Sequence, residues 1–236
     1  MFFSKKYTLQ DTGILNGWVD RHSHILPGVD DGIQTMNDSL NVLSFYEEQG
    51  ISEVWLTPHI MEDCPNTPEE LRERYAELKA EYKGDITLHL AAENMVDSLF
   101  VKRLEQNNLL PYGDNADEIL IETSYVQAPY RFKNMLQDIK KAGYHPVLAH
   151  PERYHYMDYE DYDMLHEQGI RFQLNLVSLV GGYGPEAKER AEYLLEENYY
   201  KYEGSDLHSL SYFKKAIAEK KLKKQVYSTL VCRGEQ

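Results

Sequence analysis

The feature that most restricts the fold of this chain is a repeated alternation of short apolar runs with longer helical patterns. Residues 18–26, 51–57, 86–92, 118–122, 146–150, 170–177 and 199–203 read as strands. Helical spacing of apolar residues predicts helices over 35–49, 67–83, 97–107, 130–142, 159–168, 185–197 and 210–224. Local punctuation agrees with these limits. Thr35 and Thr67 are placed as N-caps, and Thr67-Pro68-Glu69-Glu70 has the cap, first-position proline and third-position glutamate of a strong helix start. Gly50, Gly84, Gly143 and Gly169 stand where helices should stop. Seven β-then-α units with short connections imply an α/β fold with a parallel sheet. No linker, repeat or low-complexity segment divides the chain, so one domain over 1–236 is expected, with a short extension at 1–16. The tail after the last helix stays unassigned.

The polar residues at the C-terminal ends of these strands carry the functional signal. They are His22 and His24, His59, Glu93, Glu122, His150, and Asp206 with His208. The sixth strand offers Asn175 instead. Alternate residues of a strand share a face, so His22 and His24 project to one side. In a parallel barrel the C-terminal rim carries the active site, built from several strands. With Asp31, from the Pro/Gly-broken turn after the first strand, the set reaches nine nitrogen and oxygen donors. One tetrahedral zinc would use four. Nine donors with bridging carboxylates suit two or three ions, and the lack of cysteine among them points to Mn, Fe or Zn. Paired ions can hold a hydroxide and clamp a phosphoryl group during in-line attack.

Composition narrows the partners. With a formal net charge of −14 the surface repels nucleic acid, so nucleic-acid binding is not expected. A phosphorylated substrate needs strong local positive charge, which metal ions supply. No apolar run approaches the ~20 residues of a membrane span, and Met1 to Thr12 lacks a secretory apolar stretch. With only two cysteines, no disulfide framework is indicated, and a cytoplasmic location is expected.

Taken together, His22-x-His24, Asp31, His59, Glu93, Glu122, His150 and Asp206-x-His208 resemble the nine ligands of the polymerase-and-histidinol-phosphatase (PHP) family. The longer motifs sharpen this. His22-Ser23-His24-Ile25-Leu26-Pro27-Gly28-Val29-Asp30-Asp31-Gly32, Thr57-Pro58-His59, His150-Pro151-Glu152-Arg153-Tyr154 and Gly204-Ser205-Asp206-Leu207-His208 are similar to bacterial tyrosine-protein phosphatases of capsule and exopolysaccharide loci. The resemblance implies a distorted (β/α)7, TIM-like PHP barrel with a three-ion site, usually of Mn2+. It further implies hydrolysis of phosphotyrosine on a tyrosine kinase of polysaccharide synthesis, by attack of a metal-bridging hydroxide. By the family pattern His22, His24 and Asp206 hold one ion, and Glu93 bridges to a second completed by Glu122 and His150. Asp31, His59 and His208 hold the third, and Arg153 contacts the phosphate.

Some features depart from that pattern. The family commonly has a second arginine after the final histidine; here that region reads Ser209-Leu210-Ser211-Tyr212-Phe213-Lys214-Lys215. Lys214 substitutes as a point charge, or the second contact is missing. Arg21 is expected to face away from His22 and His24, where a helix-covered strand usually places an apolar residue. Asp31, Asp206 and His59 are all candidates to protonate the leaving tyrosyl oxygen. Two alternatives stand beside the protein phosphatase: a PHP phosphatase of a small monoester such as histidinol phosphate, and a metal-bound regulatory protein with little turnover. An amidohydrolase would want a metal-bridging lysine in place of Glu93 and Glu122. Cysteine-dependent phosphatase chemistry needs arginine six residues after the cysteine, where Cys64 has Glu70.

Simpler roles compete for several residues. Arg153 has Glu152 beside it as an ordinary ion-pair partner. His89, His145, His155 and His166 read as solvated or packed. Most of the 19 tyrosines read as packing or surface aromatics, with Tyr154 and Tyr156 placed to stack on a substrate ring.

Overall fold

The computed structural model describes residues 7–234. Its strands are β1 Tyr7–Thr8, β2 Val19–Ser23, β3 Glu53–Leu56, β4 His59–Ile60, β5 Thr87–Leu90, β6 Glu93–Met95, β7 Glu118–Glu122, β8 His145–Ala149, β9 Arg171–Asn175, β10 Tyr200–Gly204 and β11 Lys221–Leu222. Its helices are α1 Met36–Glu48, α2 Pro68–Glu81, α3 Ser98–Gln106, α4 Phe132–Lys141, α5 Tyr159–Glu167, α6 Leu176–Leu179, α7 Pro185–Glu196, α8 Leu210–Glu219 and α9 Lys224–Gly234. Thr35 caps α1, and Thr67 with Glu70 forms a reciprocal capping box at α2.

Two parallel sheets result, ordered β2-β3-β5 and β4-β6-β7-β8-β9-β10. They share two interrupted strands. The second expected strand, 51–57, is β3; after Thr57-Pro58, where Pro58 has no N–H to continue the ladder, the chain resumes as the unforeseen short strand β4. Glu93 N instead donates to Thr57 O and Pro58 O at 3.3 and 3.1 Å. The third expected strand, 86–92, is β5, and beyond an interruption at Ala91-Ala92 the chain resumes as β6. These breaks put His59 directly opposite Glu93 in the β4–β6 register. At the other edges, Asp206 N donates to His22 O at 2.8 Å and His24 N to Leu207 O at 3.1 Å. A parallel bridge pairs Ser23 with Leu207.

In β3, β7 and β8 both faces are buried nearly throughout, which explains their largely apolar sequences. Ile119, Ile121, Leu148 and Phe172 join the large core beneath the helices, whereas Leu120, Val147 and Ala149 join a small cluster with Trp55, Ala91 and Tyr112. Glu118, Leu120 and Glu122 alternate onto that second face. Glu118 pairs there with Arg171 and Lys201 and accepts from Tyr202 Oη, while Glu122 reaches the opposite strand ends.

Three expectations are corrected. Arg21 lies over the Trp55 and Tyr202 rings, at 5.3 and 5.1 Å, and pairs with Asp114, so it faces the small cluster rather than the helices. The cause is a register irregularity between Asp20 and Ser23 in the β2–β3 ladder, which upsets simple alternation. The sixth strand stops at Asn175, whose side chain accepts from Val177 N and starts the single turn of α6. The last expected helix ends at Glu219; β11 then pairs antiparallel with β1, and α9 occupies the unassigned tail. Within the expected extension, Leu9 and Leu15 are buried in the main core; residues 1–6 lie outside the described residues.

Gly204 links the sheet to the histidines of β2. A Cβ there would sit 2.5 Å from His22 Cβ and 2.8 Å from His22 N. Gly204→Ala must push β10 from β2 and is expected to cost about 1–3 kcal/mol, read by urea unfolding.

Candidate metal centre

The nine candidate donors converge at the C-terminal ends of the strands. Three groups each bring their donor atoms within 4.8 Å of one another: His22, His24, Glu93 and Asp206; His24, Asp31, His59 and His208; and His59, Glu93 and Glu122. His150, which the resemblance places with Glu93 and Glu122, has its Nε2 2.9 Å from Glu93 Oε1, and His59 also stands beside these two carboxylates. His22, His24, Glu93, Glu122, His150 and Asp206 are buried, while the Asp31 side chain is 75% exposed at the mouth.

The buried imidazoles are oriented from behind. His22 Nδ1 donates to Gln173 Oε1 and His24 Nδ1 to Asp30 Oδ2, each at 2.8 Å. With Nδ1 protonated, a neutral imidazole turns a lone pair out through Nε2. The two Nε2 atoms lie 3.1 Å apart, and both approach Glu93 Oε2, at 3.2 and 3.3 Å. Asp206 Oδ1 stands 3.3 Å from His24 Nε2. Such a convergence of lone pairs demands cations, either protons or metal ions. His59 Nδ1 lies 3.2 Å from Glu93 Oε2 and 3.1 Å from Glu122 Oε1, yet none of these three buried atoms has an aligned hydrogen bond. All-nitrogen-and-oxygen donors of this kind fit Mn, Fe or Zn.

Without metal, protons compensate. Burial disfavours imidazolium, but Glu93 and Asp206 outweigh it and lift His22 to about 9. Glu93 is held well below the usual carboxylate range, against its burial, by His22 and its imidazole neighbours. Asp206 is likewise held low by His22, His24 and Arg153, against its own burial. His208 is pushed down by burial and by His24.

Backbone strain accompanies the geometry. His150 and Asp206 adopt φ of 34° and 51°, the left-handed region that non-glycine residues avoid. Each is the turn residue that sends its side chain inward from a strand end.

These groups line a cavity of about 430 Å3. Arg153 lines it too, with Nη1 donating to Asp206 Oδ2 at 2.5 Å. The neighbouring Glu152 turns away, accepting from Asn175 N and Tyr200 Oη. Arg153 is the only Lys or Arg on the cavity wall among the described residues. Lys214 instead sits over the Phe45 ring at 4.3 Å and does not replace the missing arginine. Tyr154 is fully buried, its hydroxyl accepting from Thr123 N, and Tyr156 bonds Thr123 Oγ1, so neither reaches the cavity. Tyr125, Tyr183 and Tyr212 line it in their place. Of the remaining histidines, His89 stacks on Trp55 and His166 on Tyr199. A larger cavity of about 680 Å3 opens beside His145 and Arg171, at the far strand ends.

Residues 18–232 match the family described as capsular polysaccharide synthesis, CpsB/CapC. The chain belongs to that family. CpsB/CapC relatives include the tyrosine-protein phosphatase YwqE of Bacillus subtilis, 32% identical over 198 residues, 81% of this chain and 78% of YwqE. The tyrosine-protein phosphatase CpsB of Streptococcus agalactiae is 27% identical over 85% of this chain and 87% of its own length. A solved chain from work on YwqE of B. subtilis and CpsB of Streptococcus pneumoniae, described as unique metal-dependent tyrosine phosphatases, superposes with a TM-score of 0.77. It is 26% identical and spans 92% of this chain and 87% of that one.

Glu93 is the anion that four imidazoles share. In chelator-treated protein Glu93→Gln is expected to lower unfolding stability by about 3–5 kcal/mol, because it leaves buried positive charge uncompensated. Urea unfolding of the two proteins checks this; equal midpoints would mean that the imidazoles are neutral.

Proposed function

We propose that this chain is a metal-dependent phosphotyrosine-protein phosphatase acting on a tyrosine kinase of capsule synthesis. The observation that carries the reading is the clustering of nine nitrogen and oxygen donors at the strand ends, six of which line one cavity beside a single arginine. Its family membership and its relatives' activity support it. We read the fold as one domain, a distorted (β/α)7 barrel of the PHP type. The bonds from β2 to residues 206–207 and the shared interrupted strands support closure of the two sheets into a ring. The cytoplasm suits Cys64, which is a free thiol, and no helix among the described residues is long and apolar enough to cross a membrane.

In this reading His22, His24, Asp31, His59, Glu93, Glu122, His150, Asp206 and His208 hold Mn2+, with about three ions suiting so many donors. When bound, the ions supply an ionised water near neutral pH and positive charge against the phosphoryl oxygens. The protein's own groups do the rest. Gln173 and Asp30 keep His22 and His24 turned inward. The Arg153 guanidinium, with free donors beside the one given to Asp206, orients the phosphate and offsets charge that develops on it. Asp206, held as an anion by Arg153 and Asn175, is unsuited to give a proton. Asp31 at the mouth and His59 then stand as donors to the leaving oxygen. A tyrosyl leaving group, with a pKa of about 10, needs that help only modestly.

With Mn2+ the protein is expected to hydrolyse a phosphotyrosine peptide on the order of a hundredfold more efficiently than histidinol phosphate, and chelation to abolish both. Comparable turnover of histidinol phosphate would favour the small-molecule phosphatase, and Mn2+ uptake with no turnover the regulatory protein. Arg153→Lys is expected to lower kcat/KM by about tenfold or more, since a point charge replaces a planar fork. Steady-state kinetics on the peptide reads this. His150→Ala is expected to remove hydrolysis and lower the Mn2+ content found by elemental analysis; unchanged values of both would sink the metal assignment.

A further inference from the structure

The floor of the cavity is ionic, but one wall is aromatic. Tyr125, Tyr183 and Tyr212 line it together with Arg153. The guanidinium carbon lies 4.5 Å from the Tyr125 ring centroid and 4.1 Å from that of Tyr183. Guanidinium binds anions through its edge and aromatic rings through its faces, so this packing leaves its edge toward the floor. Tyr183 is tethered: its hydroxyl accepts from Asn175 Nδ2 at 3.1 Å, and the same amide donates to Asp206 Oδ2 at 2.9 Å. Tyr125 stands at the rim, 36% exposed. It sits in a stretch, 123–137, with no Asp or Glu in a chain that has 39 of them. Val126 and Tyr130 in the same stretch are also exposed. An anionic ester therefore meets apolar surface and no repelling charge on this side.

We propose that Tyr125, at the rim beside Arg153, determines specificity by contacting the arene of an aryl phosphate whose phosphoryl group lies at Arg153. The inference rests on the phosphatase reading and adds to it: the site selects aryl over alkyl monoesters through a stacking wall. Ring stacking at such a wall favours an aromatic ligand by an amount that an alkyl group of the same charge cannot match. Tyr125 acts on binding and is not required to move a proton.

Two non-hydrolysable probes test this by calorimetry on the Mn2+-loaded protein, phenylphosphonate and methylphosphonate. The wild type is expected to bind the phenyl compound on the order of tenfold or more tightly than the methyl one. Tyr125→Ala is expected to remove most of that ratio, and Tyr125→Phe to keep it. If Tyr125→Ala weakens both probes equally, so that the ratio holds, Tyr125 only steadies Arg153 and the assignment falls. It falls alone if the wild type hydrolyses a phosphotyrosine peptide yet binds the two phosphonates equally. A wild type that binds neither probe and hydrolyses no peptide overturns the phosphatase reading, and this assignment with it.

Discussion

Mutual compensation of buried charge underlies this structure. Glu93, wholly inaccessible to solvent, faces His22, His24, His59 and His150. Neither the carboxylates nor the imidazoles could be packed here alone, since an unpaired buried ion costs several kcal/mol. Their partners come from separate strands, so the centre exists only when the sheets do. The breaks at Thr57-Pro58 and Ala91-Ala92 matter for the same reason: they set His59 opposite Glu93. Groups behind the donors, Asp30, Gln173 and Asn175, spend their hydrogen bonds on orientation.

Much of the centre was legible in the chain because a parallel sheet collects its strand ends in one place. Side chains at the ends of the first to fifth strands, and after the seventh, needed only the strand limits to be grouped. What escaped depended on contacts that no spacing encodes. Asp30 and Asp31 are adjacent identical residues; only the turn decides that Asp30 bonds His24 and Asp31 opens to solvent. Gln173 lies mid-strand and looks like ordinary core. Tyr125 and Tyr183 come from loops, where no periodicity reports direction. Tyr154 and Tyr156, which follow a recognisable motif, turn away to Thr123. Arg21 was misplaced because strand parity holds only while the ladder is regular, and it is not between Asp20 and Ser23. The expected strands ended at both interruptions; the short strands β4 and β6 that resume beyond them, too brief to show a period, were not foreseen.

Charge also separates the two ends of the strands. At one end five histidines and four acids crowd together. At the other, Glu118 is already satisfied by Arg171, Lys201 and Tyr202. The two clusters thus differ in how far arginine and lysine of the chain supply the positive charge: Arg153 reaches only Asp206 in the first, whereas Arg171 and Lys201 meet the lone carboxylate of the second.

The left-handed backbone at His150 and Asp206 places an opposing demand on the sequence. Glycine or asparagine would relax each turn, so selection for heat resistance alone would drift toward those residues and erase the two donors. Laboratory evolution of a hardier variant must therefore hold these codons fixed and look for rigidity elsewhere.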